Sequence, residues 1–113
     1  MSHREEIPLL AYPGDCAPEI FDAAPDLFRA RVLLIECSFV APEDRDRARE
    51  YAHIHLDDIA ERASLFQNEA IVLTHFSMRY RPEEILEALR TLPASISDRV
   101  IAFLPRENGV EVG

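Results

Sequence analysis

Ala70-Ile71-Val72-Leu73-Thr74-His75-Phe76-Ser77-Met78-Arg79-Tyr80 is the stretch around which the rest of the chain is read. Its first half is a short apolar run rich in β-branched residues, which predicts a buried strand. Its second half runs straight into His75, Ser77, Arg79 and Tyr80. Core packing gives no reason for a histidine and an arginine four residues apart at a strand exit, whereas a site does. Open α/β sheets place their chemistry at the carboxyl ends of the strands, because helices cover the faces and leave that edge free.

Working outward, the neighbouring segments fit such a sheet. Residues 56–66 put Leu56, Ile59, Ala60, Ala63 and Phe66 on one helical face, with Asp57 and Asp58 favourably in the first turn and Asn68 as the exit. Residues 82–91 predict a second helix, with Glu83 and Glu84 early and Arg90 late, and a last strand follows near 100–104. Upstream, 31–39 holds the apolar run Val32-Leu33-Leu34-Ile35 and delivers Glu36, Cys37 and Ser38. Residues 42–52 predict a charged helix, with Glu43 and Arg47, and Asp46 and Arg49, spaced to pair on its surface. Residues 7–12 read as a strand closed by the turn Pro13-Gly14-Asp15, and 18–24 as a short helix. The order is β-α-β-α-α-β-α-β, with no internal repeat. Apolar strands alternating with helices predict a largely parallel sheet, with a fourth strand of opposite sense left open at an edge.

Composition narrows the function classes. The chain has 113 residues, which predicts a single domain over 1–113, and a net charge of −9 from 21 acidic and 12 basic residues. Every basic residue is arginine. Such a surface repels a polyanion over most of its area, so contact with nucleic acid needs a local arginine patch or a second chain. The arginines of 42–52 have acids at pairing distance, which favours a solvated helix there. Cys16 and Cys37 form no CxxC, and no signal peptide is evident, so a cytoplasmic protein with reduced thiols is expected. No run approaches the ~20 apolar residues of a membrane span.

Asp15, Glu36 and His75 each stand at or just beyond an apolar strand, and His53 just before a helix. Singly, Asp15 suits a turn, Glu36 a solvated strand end, and each histidine an ordinary hydrogen-bonding role. Together at one sheet edge, carboxylate and imidazole are what a hydrolytic metal site uses.

Four segments in this order, Tyr12-Pro13-Gly14-Asp15, Leu34-Ile35-Glu36-Cys37-Ser38-Phe39, Tyr51-Ala52-His53 and Leu73 to Tyr80, resemble the second half of the ribonuclease Z branch of the metallo-β-lactamase-fold hydrolases. The resemblance implies an α/β fold: the second αβ half of an αβ/βα sandwich, with the N-terminal half absent. It implies a zinc-dependent phosphodiesterase, RNA being the expected substrate. Asp15 would bridge two zinc ions and His75 would bind one. Arg79, with Ser77 beside it, would hold a phosphate, which the planar guanidinium fork suits. His53 would protonate the leaving oxygen, with Glu36 orienting its imidazole. The chain departs from the family pattern at Ile54-His55, which replaces small hydroxyl residues, and at Ile35 and Cys37-Ser38. It also lacks the family's N-terminal histidine cluster, His3 being isolated. Two ligands fall short of the roughly three that a catalytic zinc wants. The chain alone is therefore expected to be inert, its open sheet face requiring an N-terminal half or a homodimer mate. A non-catalytic assembly module and an unrelated small α/β domain are the competing readings.

Overall fold

The computed structural model describes residues 9–13 and 17–104. The expected turn at Gly14-Asp15, Cys16 and His3 lie outside the described residues. Four strands, β1 (Leu10–Ala11), β2 (Val32–Glu36), β3 (Ala70–Thr74) and β4 (Val100–Ala102), form one sheet in the order β1-β2-β3-β4, every pair parallel. The edge strand β4 is therefore not of opposite sense. Residues 75–99 are ample for a crossover, and parallel strands require one of a dozen residues or more.

Helices α1 (Ile20–Ala23), α2 (Arg45–Glu50), α3 (Leu56–Glu61), α4 (Pro82–Leu89) and α5 (Ala94–Ser97) lie between the strands, with 3-10 turns at Pro25–Phe28, Pro42–Asp44 and Ala63–Leu65. Successive right-handed crossovers in chain order place their helices on the same face of a sheet. The burial pattern agrees. Leu33, Ile35, Ile71 and Leu73 are fully buried and share one cluster with Phe21, Leu27, Phe28, Leu56, Ile59, Leu92 and Ile96. Each such side chain contributes about 1.5–3 kcal/mol when buried. The alternate residues point the other way. On that face Leu34 pairs with Val72 and Val72 with Ile101, while Leu10, Ile101 and Phe103 are exposed. Leu34 and Val72 on the same face are only partly buried.

Helix α5 has no counterpart in the sequence reading, and two expected helices are built differently. The segment from Pro42 starts as a 3-10 turn, with Ala41 offering no side-chain cap, and becomes α-helical only at Arg45. That tighter start brings Arg47 to Asp44 (3.6 Å) where the sequence suggested Glu43. Helix α3 stops at Glu61, where the Arg62 guanidinium donates to the Asp58 carbonyl (2.8 Å). The chain then turns so that Phe66 meets Phe28 (ring centroids 4.8 Å apart) and Phe21 (5.7 Å).

Asn68 does more than end a helix. It is fully buried at the entry to β3, and its amide donates to the carbonyls of Leu27 (2.9 Å) and Ala30 (2.5 Å). Arg99, just before β4, donates to the carbonyls of Asn68, Phe66 and Ser95. These two side chains satisfy loop carbonyls at the end of the sheet opposite the site. Removing a donor strands buried acceptors at roughly 1–3 kcal/mol each. Asn68→Ala is accordingly expected to lower unfolding free energy by about 2–4 kcal/mol in urea titration; a loss within ordinary surface scatter would contradict this role.

Candidate functional site at the carboxyl edge

Pairing of Glu36 with Thr74 sets the geometry of this edge. The ladder runs one step further, with the Cys37 N–H donating to the Thr74 carbonyl (2.9 Å). The chain then opens into three loops that bond to one another. Ser77 donates its N–H to the Ser38 carbonyl (2.8 Å), Ser38 donates to Ile54 (3.1 Å), and Leu56 donates to Phe39 (2.8 Å).

His75 takes a left-handed backbone conformation (φ 58°), which few non-glycine residues adopt and which recurs at functional sites. It leaves the imidazole mostly exposed, with Nε2 3.9 Å from the Glu36 carboxylate. Tyr12, just past β1, donates its hydroxyl to the same carboxylate (3.0 Å). Glu36 is itself largely enclosed, so the ends of the first three strands converge on one carboxylate.

His53 arrives by a different device. Helix α2 ends in a Schellman motif: His53 N–H donates to the Ala48 carbonyl (2.9 Å) and Ala52 N–H to Arg49 (3.3 Å). Ala52 sits at the left-handed position (φ 57°), where glycine is usual. The His53 ring packs 6.2 Å from the Phe39 ring and borders a cleft of about 220 Å3 whose lining includes Arg45, Arg49 and Asp57. Arg45 pairs there with Asp57 (3.1 Å).

His55 has a structural task. It is buried, its Nδ1 accepts from the Asp57 N–H (2.9 Å), and its Nε2 lies 2.7 Å from the Ala41 carbonyl. One nitrogen accepting and the other donating defines a neutral imidazole protonated at Nε2. Asp58 completes the cap by accepting the His55 N–H (2.9 Å). Cys37 is likewise no nucleophile: burial pushes its thiol far above the ordinary range, and the thiolate is the reactive form.

Arg79 lies beyond the strand with its side chain 45% exposed, one guanidinium nitrogen 3.2 Å from Asp44 Oδ1. Tyr80 donates its hydroxyl to Asp44 Oδ2 (2.5 Å), and the Tyr80 hydroxyl oxygen in turn accepts the N–H groups of Val40 (3.1 Å) and Ala41 (3.2 Å). Burial and the Asp44 carboxylate hold the Tyr80 phenol above its usual range. The structure thus brings Glu36, His75 and Ser77 to one edge, with Arg79 anchored beside them. His53 stands on the adjoining loop, and Asp15 lies outside the described residues. Among the described residues no group of three His, Cys, Asp or Glu is placed to hold a metal ion, so His75 by itself does not make a zinc site. Sequence reasoning gave no role to Asp44, Tyr80, Tyr12 or His55. Tyr80 was visible within the 70–80 stretch, whereas Asp44 looked like one more acid on a solvated helix.

These residues define an α/β layer with a polar carboxyl edge. The chain is similar over most of its length to part of the ribonuclease Z and tRNase Z proteins. It is 37% identical to tRNase Z TRZ1 of Arabidopsis thaliana over 85% of this chain and 35% of that protein. It is 37% identical to ribonuclease Z of Bacillus licheniformis over 84% of this chain and 30% of that one, and 38% identical to zinc phosphodiesterase ELAC protein 1 of Bos taurus over 61% and 19%. The chain therefore spans about a third of the first two relatives. No family model matches it.

Two outcomes follow from this geometry. Left-handed backbone costs an alanine roughly 1–2 kcal/mol that glycine avoids, less the entropy glycine loses on folding. Ala52→Gly is expected to raise stability by up to about 1 kcal/mol in thermal or urea melts. For Tyr80 the folded pKa exceeds the unfolded one. Its contribution is then complete below the ordinary phenol range near ~10 and fades as pH rises through the folded value. Wild-type stability should fall more steeply above about pH 10 than that of Tyr80→Phe; parallel curves would refute the assignment.

Proposed function

We propose that this chain is the C-terminal αβ half of a metallo-β-lactamase-fold, ribonuclease Z-like zinc phosphodiesterase. On this reading it is inert alone and becomes active when an N-terminal half of the fold, or a second copy, covers its open sheet face. The observation that carries the reading is the gathering of Glu36, His75 and Ser77, with Arg79 beside them, at the carboxyl edge of a chain similar to tRNase Z proteins. Asp15 and His75 would contribute ligands to a zinc site whose other donors come from outside this chain. Zinc would supply the activated water and neutralise charge on a phosphodiester, RNA being the favoured substrate. Arg79 would grip a phosphate oxygen pair with Ser77 contacting the same phosphate, and His53 would deliver a proton to the leaving oxygen. Glu36 would hold an imidazole in place; its contacts, with Tyr12 and His75, favour the His75 ring over that of His53. A cytoplasmic location fits RNA processing.

A second reading rests on the sheet face that exposes Leu10, Ile101 and Phe103. A module kept only for assembly would present the same surface. No helix among the described residues is long and apolar enough to cross a membrane.

Metal content, mass and hydrolysis of a phosphodiester by the purified chain, with and without an added N-terminal half, separate these readings. The chain alone should hold no stoichiometric zinc and cleave nothing. The reconstituted pair should do both, and Asp15→Ala or His75→Ala should abolish zinc uptake while the pair still forms. A pair that assembles but never takes up zinc supports the assembly module instead.

A further inference from the structure

Asp44, Tyr80 and Arg47, which contact or neighbour Arg79, have no place in the reading above. Asp44 sits at the end of the 3-10 turn Pro42–Asp44, its side chain 11% exposed, and binds through both oxygens. Oδ1 faces two guanidinium groups, Arg79 at 3.2 Å and Arg47 at 3.6 Å. Oδ2 receives the Tyr80 hydroxyl, which is itself pinned by the N–H groups of Val40 and Ala41. One carboxylate thus fastens the loop after β3 to the loop after β2.

Burying a carboxylate is costly unless it is paired and hydrogen-bonded, and this one is both. Mere tethering of two loops needs no charge, since an apolar contact would serve. The charge has a clear recipient in Arg79. A long arginine side chain loses rotamer freedom when it is ordered, a cost that falls on any ligand binding a mobile guanidinium. Asp44 occupies one nitrogen and leaves the rest of the fork free for bidentate contact with an anion. Two guanidiniums against one carboxylate leave one excess positive charge, so the cluster still attracts an anion.

The geometry points to Asp44 as a positioning residue that, together with Tyr80, pre-orders Arg79 to receive a phosphate group at the carboxyl edge. This rests on the phosphate-binding role proposed above for Arg79. Inorganic phosphate titrated onto the 15N-labelled chain, read at the Arg79 Nε–H resonance with side-chain relaxation measured beforehand, tests it. In the wild type Arg79 should be ordered without ligand and shift saturably with phosphate. Asp44→Asn should mobilise Arg79 and weaken phosphate binding about tenfold, as expected for a lost charge-assisted bond. Tyr80→Phe, which keeps the carboxylate and loses its anchor, should show a smaller loss in the same direction, and it decides the matter if Asp44→Asn does not fold. A merely structural role would lower the melting temperature without moving either Arg79 readout. Unchanged or tighter phosphate binding in folded Asp44→Asn overturns the proposal, because Asp44 would then be neutral or a competitor. An Arg79 that is ordered yet silent towards phosphate in the wild type overturns the phosphate reading of the edge, and this inference with it.

Discussion

The pairing of β2 with β3 is the constraint on which the molecule depends. Its register, Val32 with Ala70 through to Glu36 with Thr74, buries Leu33, Ile35, Ile71 and Leu73 under the helices. The same register puts Glu36 beside the last residue of β3, so the next residue, His75, emerges within 4 Å of its carboxylate. A slip of one residue would reverse every side chain, exposing the core and separating this pair. Stability of the core and convergence of the polar groups are thus one fact of alignment.

Beyond the strands, the edge is organised by backbone devices of unequal strength. A Schellman turn fixes His53, a left-handed backbone at His75 itself sets that side chain, and a buried imidazole caps α3. Each substitutes a local bond for a longer loop, keeping the polar groups on short tethers to regular elements. His53-Ile54-His55 shows the division of labour: the first imidazole lines a cleft, Ile54 enters the core, and the last holds up a helix.

The central fold was legible in the sequence because its strands are apolar without interruption. The stretch 70–74 and the run 32–35 carry that signal with almost no competing pattern. The sense of β4 was not legible, since a three-residue edge strand has too few alternating positions to report its direction. At the site, Glu36, His75 and Arg79 stood out as polar residues ending apolar runs. Asp44 did not, because its partners Arg79 and Tyr80 are more than thirty residues away and a local helix pattern explains an acid equally well. Asn68 was hidden for the same reason: the carbonyls it serves belong to the loop before β2.

A sheet whose strands follow chain order is wound in one direction only. Such a sheet has no switch point, the place where neighbouring crossovers diverge to opposite faces and leave a crevice between them. Among the described residues its carboxyl edge is made of loops on which His75 and Arg79 stand largely exposed. Groups so exposed stay in contact with water, where fields between charges are weak. His75 and Arg79 would gain the low dielectric that strengthens such chemistry only when a wall from beyond this layer stands over them.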